Sequence, residues 1–389
     1  MAHRRISLAW QNLTHDKPRA LIASGGIGFA VVLLFVEIGF YNSSLDSPTA
    51  PLQFLGGEIV IASRAKYSLV AEVGFPHDRL VQAQNCPGVE SAAPVYLQQL
   101  GSILRVSGRR GFPIRVFAID LENPAFAFPE LDEFAEELKQ PRTALVDAAT
   151  RRFFGIPQGH DELRSEKVEL GRRTLNLVGR FQLSTDLVND GNLLMSDRNF
   201  ARYFPRRSGG RPLSMVDLGV IQLAEGADTL AVKSQLESIL PDDVTVYTLP
   251  EFRALEHRFW KTRVPVGGIF LVGAVVGFLV GVVICYQIIY SDAASQLPEF
   301  ATLKAIGYRP RYFYRVMIEQ AFYLAVFGFV PGVLASAFVY SELSQRTGLV
   351  LQFTPGRLLL VFVFTVAMCL ISGVLAIRKV ISVDPAELF

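Results

Sequence analysis

Residues 264–290 read VPVGGIFLVGAVVGFLVGVVICYQIIY, a stretch with no charged side chain. A hydrocarbon layer about 30 Å thick is crossed by about 20 apolar residues in a helix, because a helix satisfies its own backbone hydrogen bonds where water is absent. The stretch is therefore a membrane span. Three others qualify outward from it: 20–42, 316–341 and 358–377. The fourth of these spans is uncharged, whereas the first holds Glu37 and the third Glu319. Basic residues before the first run could introduce a secretory signal, but the run is longer than a signal core. It continues into Tyr41-Asn42-Ser43-Ser44 without a small-x-small cleavage site, and so reads as an uncleaved anchor.

Cationic residues beside short loops set orientation. Arg4, Arg5, Lys17 and Arg19 precede the first span, Lys304, Arg309, Arg311 and Arg315 lie between the second and third, and Arg378 and Lys379 follow the fourth. All three clusters agree on one expectation: both termini cytoplasmic, 43–249 and the short loop 342–357 outside, and 291–315 and the tail 378–389 inside. In residues 1–19, Ile6, Trp10 and Leu13 fall at i, i+4 and i+7, which predicts a short amphipathic helix along the inner membrane surface, the alternative being a plain charged tail.

The 389 residues are half hydrophobic, with a mean hydropathy of +0.32 and a formal charge of +2, which suits a mixed membrane and soluble architecture and gives no basic face for nucleic acid. Cys86, Cys285 and Cys369 have no metal-type spacing, and the histidines show no H-E-x-x-H pattern. No metal, cofactor or catalytic residue is expected. Glu37, Glu319, Ser372 and Cys369 form no recognisable catalytic pair, so an intramembrane enzyme is disfavoured.

The expected fold class is a membrane protein with four transmembrane α-helices and an α+β extracytoplasmic domain between helices 1 and 2. Within 43–249, strands are predicted over 58–62, 102–106, 114–119, 175–181, 219–223 and 244–247, and helices over 77–84, 131–139 and 229–240. The stretch 205–212, rich in Gly, Pro and Arg, is a candidate boundary or mobile loop. Glu130, Asp132, Glu133, Glu136 and Glu137 form a solvated helix face or a partner surface. Pro250 opens a helical pattern through Phe252, Leu255 and Phe259 toward Val264, which predicts a stalk over 250–263, about 20 Å long at about 1.5 Å per residue, with a bend at Pro265.

Gly273, Gly277 and Gly281 recur every fourth position and predict close helix packing, as do Gly328 and Gly332 around Pro331, where a kink is expected; the spacing leaves open whether these strips pack within the chain or across a dimer. In the inner loop, Pro298 and Gly307 bound a short helix, Glu299 and Lys304 complement its dipole, and Leu297, Phe300 and Leu303 make an apolar ridge suited to a partner's groove, or else a plain connector.

The run Pro298-Glu299-Phe300-Ala301-Thr302-Leu303-Lys304-Ala305-Ile306-Gly307 resembles the coupling segment of FtsX/MacB-type ABC transporter permeases. Tyr286-Gln287-Ile288-Ile289-Tyr290-Ser291-Asp292, Gly328-Phe329-Val330-Pro331-Gly332, Met368-Cys369-Leu370-Ile371-Ser372-Gly373 and Asp384-Pro385-Ala386-Glu387-Leu388-Phe389 look like the DevC subfamily. So do Leu8-Ala9-Trp10-Gln11-Asn12-Leu13, Asp190-Gly191-Asn192 and Ser196-Asp197-Arg198-Asn199-Phe200; Glu37 departs from the uncharged residue expected there.

The resemblance implies a permease subunit in the bacterial inner membrane, working as a homodimer with a separate DevA-like ATPase, a DevB-like membrane fusion protein and an outer-membrane TolC-like channel. The ATPase-coupling residues would be Leu297, Glu299, Phe300, Leu303, Lys304 and Gly307. The sequence contains no G-x-x-x-x-G-K-[ST] loop, so ATP hydrolysis is expected in the partner. The expected function is mechanical coupling of that hydrolysis to export of an envelope component such as a glycolipid. The alternative is an FtsX-like signalling subunit that regulates an outer partner without moving cargo.

Overall fold

The computed structural model describes residues 17–295, 302, 306, 310–349 and 351–381. They form two compact units. One comprises residues up to Asn42, Val266–Glu342 and the chain from Leu351, and the other comprises Ser43–Pro265 with Leu343–Val350.

Four helices long and apolar enough to cross a membrane run over Lys17–Thr49, Val266–Ser295, Pro310–Thr347 and Pro355–Ile381. Each is longer than its sequence-predicted span, because polar residues at the ends continue the helix past the apolar run. All four begin at or beside a proline, whose fixed φ suits a first turn; the fourth is also fastened by Thr354, whose Oγ1 accepts from the Arg357 N–H at 3.3 Å. The first helix is the centre of the membrane unit: Ile27, Ala30, Val31, Leu34 and Phe35 are all buried among residues of the other three. By contrast, Ile269, Val272, Val276 and Val283 of the second helix stay exposed in the single chain.

Pro331 lies inside the third helix and cannot donate to the carbonyl four residues back. That carbonyl, on Phe327, instead accepts from Ser24 Oγ of the first helix at 2.8 Å.

The second unit is built on thirteen strands: β1 Ile59–Ser63, β2 Phe75–Pro76, β3 Val89–Gln98, β4 Ile103–Val106, β5 Phe112–Pro113, β6 Arg115–Ile119, β7 Thr143–Asp147, β8 Val168–Leu170, β9 Arg173–Phe181, β10 Asn192–Ser196, β11 Met215–Val216, β12 Leu218–Leu223 and β13 Val244–Thr248. Eleven form one mixed sheet in the order β13-β1-β12-β3-β6-β10-β7-β9-β8-β4-β5, and β11 pairs with β2. The pairs β6–β10 and β7–β9 are parallel and the rest antiparallel.

Strands β1, β6, β7 and β10 are buried along their whole length because both faces are covered. In β1, Ile59 and Ile61 enter one core with Leu80, Phe200 and Leu236, while Val60 and Ala62 enter another with Leu52, Phe128 and Phe252. The predicted helix over 131–139 is two short helices, Pro129–Glu133 and Ala135–Lys139, broken at Phe134. Its ring lies against Gly179 so closely that a Cβ there would come within 2.5 Å of it.

The helix Leu249–Arg263 opens on a capping box: Thr248 Oγ1 accepts from Glu251 N–H, and the Glu251 carboxylate accepts from Thr248 N–H. At Pro265, where the sequence predicts a bend, the helix is interrupted. Val264 is extended, with φ −106° and ψ 111°, because the following Pro265 disfavours helical backbone at the residue before it. A new helix starts at Val266.

Candidate functional site

The proposed coupling residues Leu297, Glu299, Phe300, Leu303, Lys304 and Gly307 lie outside the described residues, as do the amphipathic segment with Ile6, Trp10 and Leu13 and the terminal Asp384–Phe389 motif. What is described on either side is polar and tied down. Gln320, buried in the third helix, donates to Asp292 near the end of the second, and Arg315 pairs with Glu319 at 3.0 Å.

The five candidate packing glycines all meet the membrane unit of the same chain. A Cβ on Gly328 would stand 2.5 Å from Ile27 Cβ, and one on Gly332 would stand 2.7 Å from Val31 Cβ, so the first and third helices touch at glycine. On the second helix, a Cβ at Gly281 would strike Met368 and lie 3.2 Å from Ala30, one at Gly277 would reach Leu33 at 3.9 Å, and one at Gly273 would strike the Glu37 carboxylate. Gly273 thus leaves room for the charged residue that is out of place in the first span. Ser372 Oγ donates to the Val282 carbonyl at 2.7 Å, tying the second helix to the fourth.

A second cluster was not visible in the sequence. The last turn of the third helix and the residues after it, Leu343–Val350, belong to the same unit as the outer sheet. Thr185 Oγ1 donates to the Thr347 carbonyl at 2.9 Å, Arg151 Nε donates to the same carbonyl at 3.2 Å, and the Thr185 N–H donates to the Gly348 carbonyl at 3.3 Å. Gly348 has φ +69°, and any Cβ there would collide with Thr185, so the helix terminus needs glycine for both backbone and space.

The loop presenting Thr185 is held by a buried polar network. Arg115 pairs with Asp186 and donates from Nε to Asn192 Oδ1 at 3.0 Å; both its side chain and that of Asp186 are 1% exposed. Asn192 Nδ2 donates to Asp147 Oδ2 at 2.6 Å and to the Ser184 carbonyl at 2.8 Å. Asp147 Oδ1 accepts from the Ala149 and Leu183 N–H groups, and Asp186 Oδ1 from those of Val188 and Asn189. Arg151 also pairs with Asp190 at 2.9 Å. Asp190 and Asn192, singled out above by resemblance, are thus parts of the network that fixes Thr185 and Arg151. A network with most of its members paired in low dielectric is rigid.

The helix Leu249–Arg263 is anchored in the outer unit by Glu256, which is 0% exposed. Its carboxylate accepts from Ser68 Oγ at 2.9 Å, Leu69 N–H at 2.7 Å and Trp260 Nε1 at 2.7 Å. Burial raises the Glu256 carboxyl above its ordinary value, and burial lowers the nearby Lys66 ammonium.

Among the described residues no three His, Cys, Asp or Glu side chains gather as a metal site. Cys285 and Cys369 are free thiols, with sulfurs 3.7 Å apart between the second and fourth helices.

Residues 271–385 match the family described as FtsX-like permease C-terminal. The whole chain is similar to uncharacterized ABC transporter permeases, one of Mycobacterium tuberculosis at 24% identity over 386 residues and one of Mycobacterium bovis at 24% over 389, each alignment covering 98% of both chains. Among solved structures, the periplasmic region of MacB from Actinobacillus actinomycetemcomitans aligns over 52% of this chain and 92% of its own, with 10% identity and a TM-score of 0.38. The extracellular domain of the noncanonic ABC-type transporter YknZ from Gram-positive bacteria aligns over 49% and 99%, with 9% identity and a TM-score of 0.34.

Proposed function

We propose that this chain, an ABC transporter permease of the FtsX/MacB type, carries the work of a separate ATPase across the inner membrane to its outer domain, and so drives export of an envelope component such as a glycolipid. The helix Leu249–Arg263 serves as the stalk, 43–249 as the extracytoplasmic domain, and 291–315 as the docking segment for the ATPase. Both termini are cytoplasmic in this reading, in keeping with the basic clusters beside the inner loops. Two copies of the chain, with a membrane fusion protein and an outer-membrane channel, complete the assembly.

The observation that carries the reading is the double hold of Thr185 and Arg151 on the end of the third helix. It gives movement in the membrane a second route into the outer domain, beside the stalk. The interruption at Val264 and Pro265 makes that second route important, because the stalk and the second span are separate helices.

The test is co-purification of the chain with its cognate ATPase, followed by Glu299→Lys and Leu303→Asp. Both variants should lose assembly with the ATPase and the stimulation of hydrolysis that goes with it. Unchanged assembly and hydrolysis in both would remove the docking role. Nucleotide-driven movement without transport in reconstituted vesicles would favour a regulatory subunit over an exporter.

A further inference from the structure

The outer unit contains a cleft that the coupling account does not use. It has a volume of about 780 Å³, within the usual range of small-molecule sites, and its lining includes Glu72, Arg173, Tyr203, Arg206, Arg207 and Met215. Three arginines face one carboxylate. Glu72 is already engaged: Oε1 accepts from the Gln99 and Leu100 N–H groups at 2.6 Å each, and both oxygens accept from Gln98 Nε2.

The arginines differ in how they are held. Arg207 is the fixed one: it pairs with the buried Asp217 and lies 5.2 Å over the Phe200 ring, leaving Nη1 with no partner among the described residues. Arg173 donates to the carbonyl of Arg202, a neutral acceptor, and forms no ion pair with a described residue. Arg206 is exposed and forms no ion pair with a described residue. The 205–212 stretch that carries Arg206 and Arg207 is strained: Ser208 sits at φ +49°, a left-handed conformation that costs a non-glycine residue energy and tends to occur at functional sites.

We propose that this cleft binds a phosphate group borne on a small polar molecule or a lipid headgroup, with Arg173 and Arg206 gripping the oxyanion and Arg207 forming the rigid rear wall. Guanidinium forks match phosphate oxygens in geometry and hold them by charge-assisted hydrogen bonds. Met215, Phe204 and Pro205 supply the apolar lining for the carbon skeleton. The proposal stands independently of the transport reading.

Calorimetric titration of the full chain in detergent with sn-glycerol 3-phosphate, against glycerol and salt of equal ionic strength, tests it. One saturable site is expected. Affinity should fall at least tenfold in Arg173→Gln/Arg206→Gln and stay unchanged in Arg64→Gln, whose arginine lies outside the cleft. Arg206→Gln alone, which removes no internal contact, should weaken binding severalfold at an unchanged melting temperature, and so separates binding from folding. Repeating the titration in nanodiscs distinguishes the source: weaker apparent binding in phosphatidylglycerol than in phosphatidylcholine marks a lipid headgroup, and equal binding marks a soluble phosphate. Absence of saturable heat, or an equal loss in Arg64→Gln, would overturn the proposal.

Discussion

Thr185 donates through its hydroxyl to the carbonyl of Thr347, joining a loop of the outer sheet to the last residue of the third apolar helix. Replacing Thr185 with valine keeps the shape and removes that hydrogen bond, at a cost of about 0.5–1.5 kcal/mol. Gly348→Ala should be worse, because it puts a side chain at φ +69° and into Thr185. Limited proteolysis should cut between residues 343 and 350 faster in both variants, and faster in Gly348→Ala than in Thr185→Val. Equal protection in all three proteins would mean that the contact bears no load.

Ser24 takes over the carbonyl that Pro331 leaves unpaired. Ser24→Ala should therefore destabilise the membrane unit by on the order of 1 kcal/mol, the scale of interhelical hydrogen bonds in membranes. Gly25→Ala is the control, since a Cβ there meets nothing within 4 Å. Thermal unfolding in detergent should separate the two, and identical midpoints would refute the role given to Ser24.

The sulfurs of Cys285 and Cys369 are close enough for mild oxidation to join them after a small shift. Copper-phenanthroline treatment of membranes should give a disulfide within one chain, seen as a linked peptide by mass spectrometry and lost in Cys285→Ser. A covalent dimer through either cysteine, with no intrachain product, would contradict the packing of the second helix on the fourth.

Glu256 should make folding pH-dependent. Burial raises its carboxyl above the ordinary 4.5, so the folded protein holds this proton more tightly than the unfolded chain does. Its contribution to stability therefore falls as pH rises through a window that opens near 4.5 and closes at the raised value. Glu256→Gln loses the acceptor for Leu69 N–H, costing about 1–3 kcal/mol, and removes that slope. Denaturant midpoints across the acid-to-neutral range should decline more steeply for the wild type than for the variant; parallel slopes would exclude the assignment.

The parts of this molecule written in local pattern were legible in advance. The four spans follow from long apolar runs, two of them broken only by a single glutamate, and β1, β6 and β9 from short β-rich stretches between turn signals. β3, β7 and β10 were missed although they are central strands. Val89–Gln98 begins with polar residues, and the five-residue runs of β7 and β10 contain Thr143, Asp147 and Asn192, whose buried side chains meet partners far away in sequence: Asn192 donates to Asp147, and Asn199 donates to Thr143. The hold on the third helix left no trace either, since Thr185 and Thr347 are 162 positions apart and either residue alone reads as an ordinary polar loop position. Proline and glycine were only half informative: Pro331 announced a missing hydrogen bond, but not that Ser24 would supply the replacement.

The central claim is that work done on the inner loop reaches the outer domain. Hydrogen exchange of residues 183–192, measured on the chain with its cognate ATPase before and after trapping with ATP and vanadate, tests it most directly, because the Thr185 amide donates to Gly348 at the end of the third helix. The account predicts a nucleotide-dependent change in exchange across this segment, abolished by Leu303→Asp in the proposed docking segment. Exchange that is identical with and without trapped nucleotide, in a complex whose ATPase remains bound and active, would contradict it.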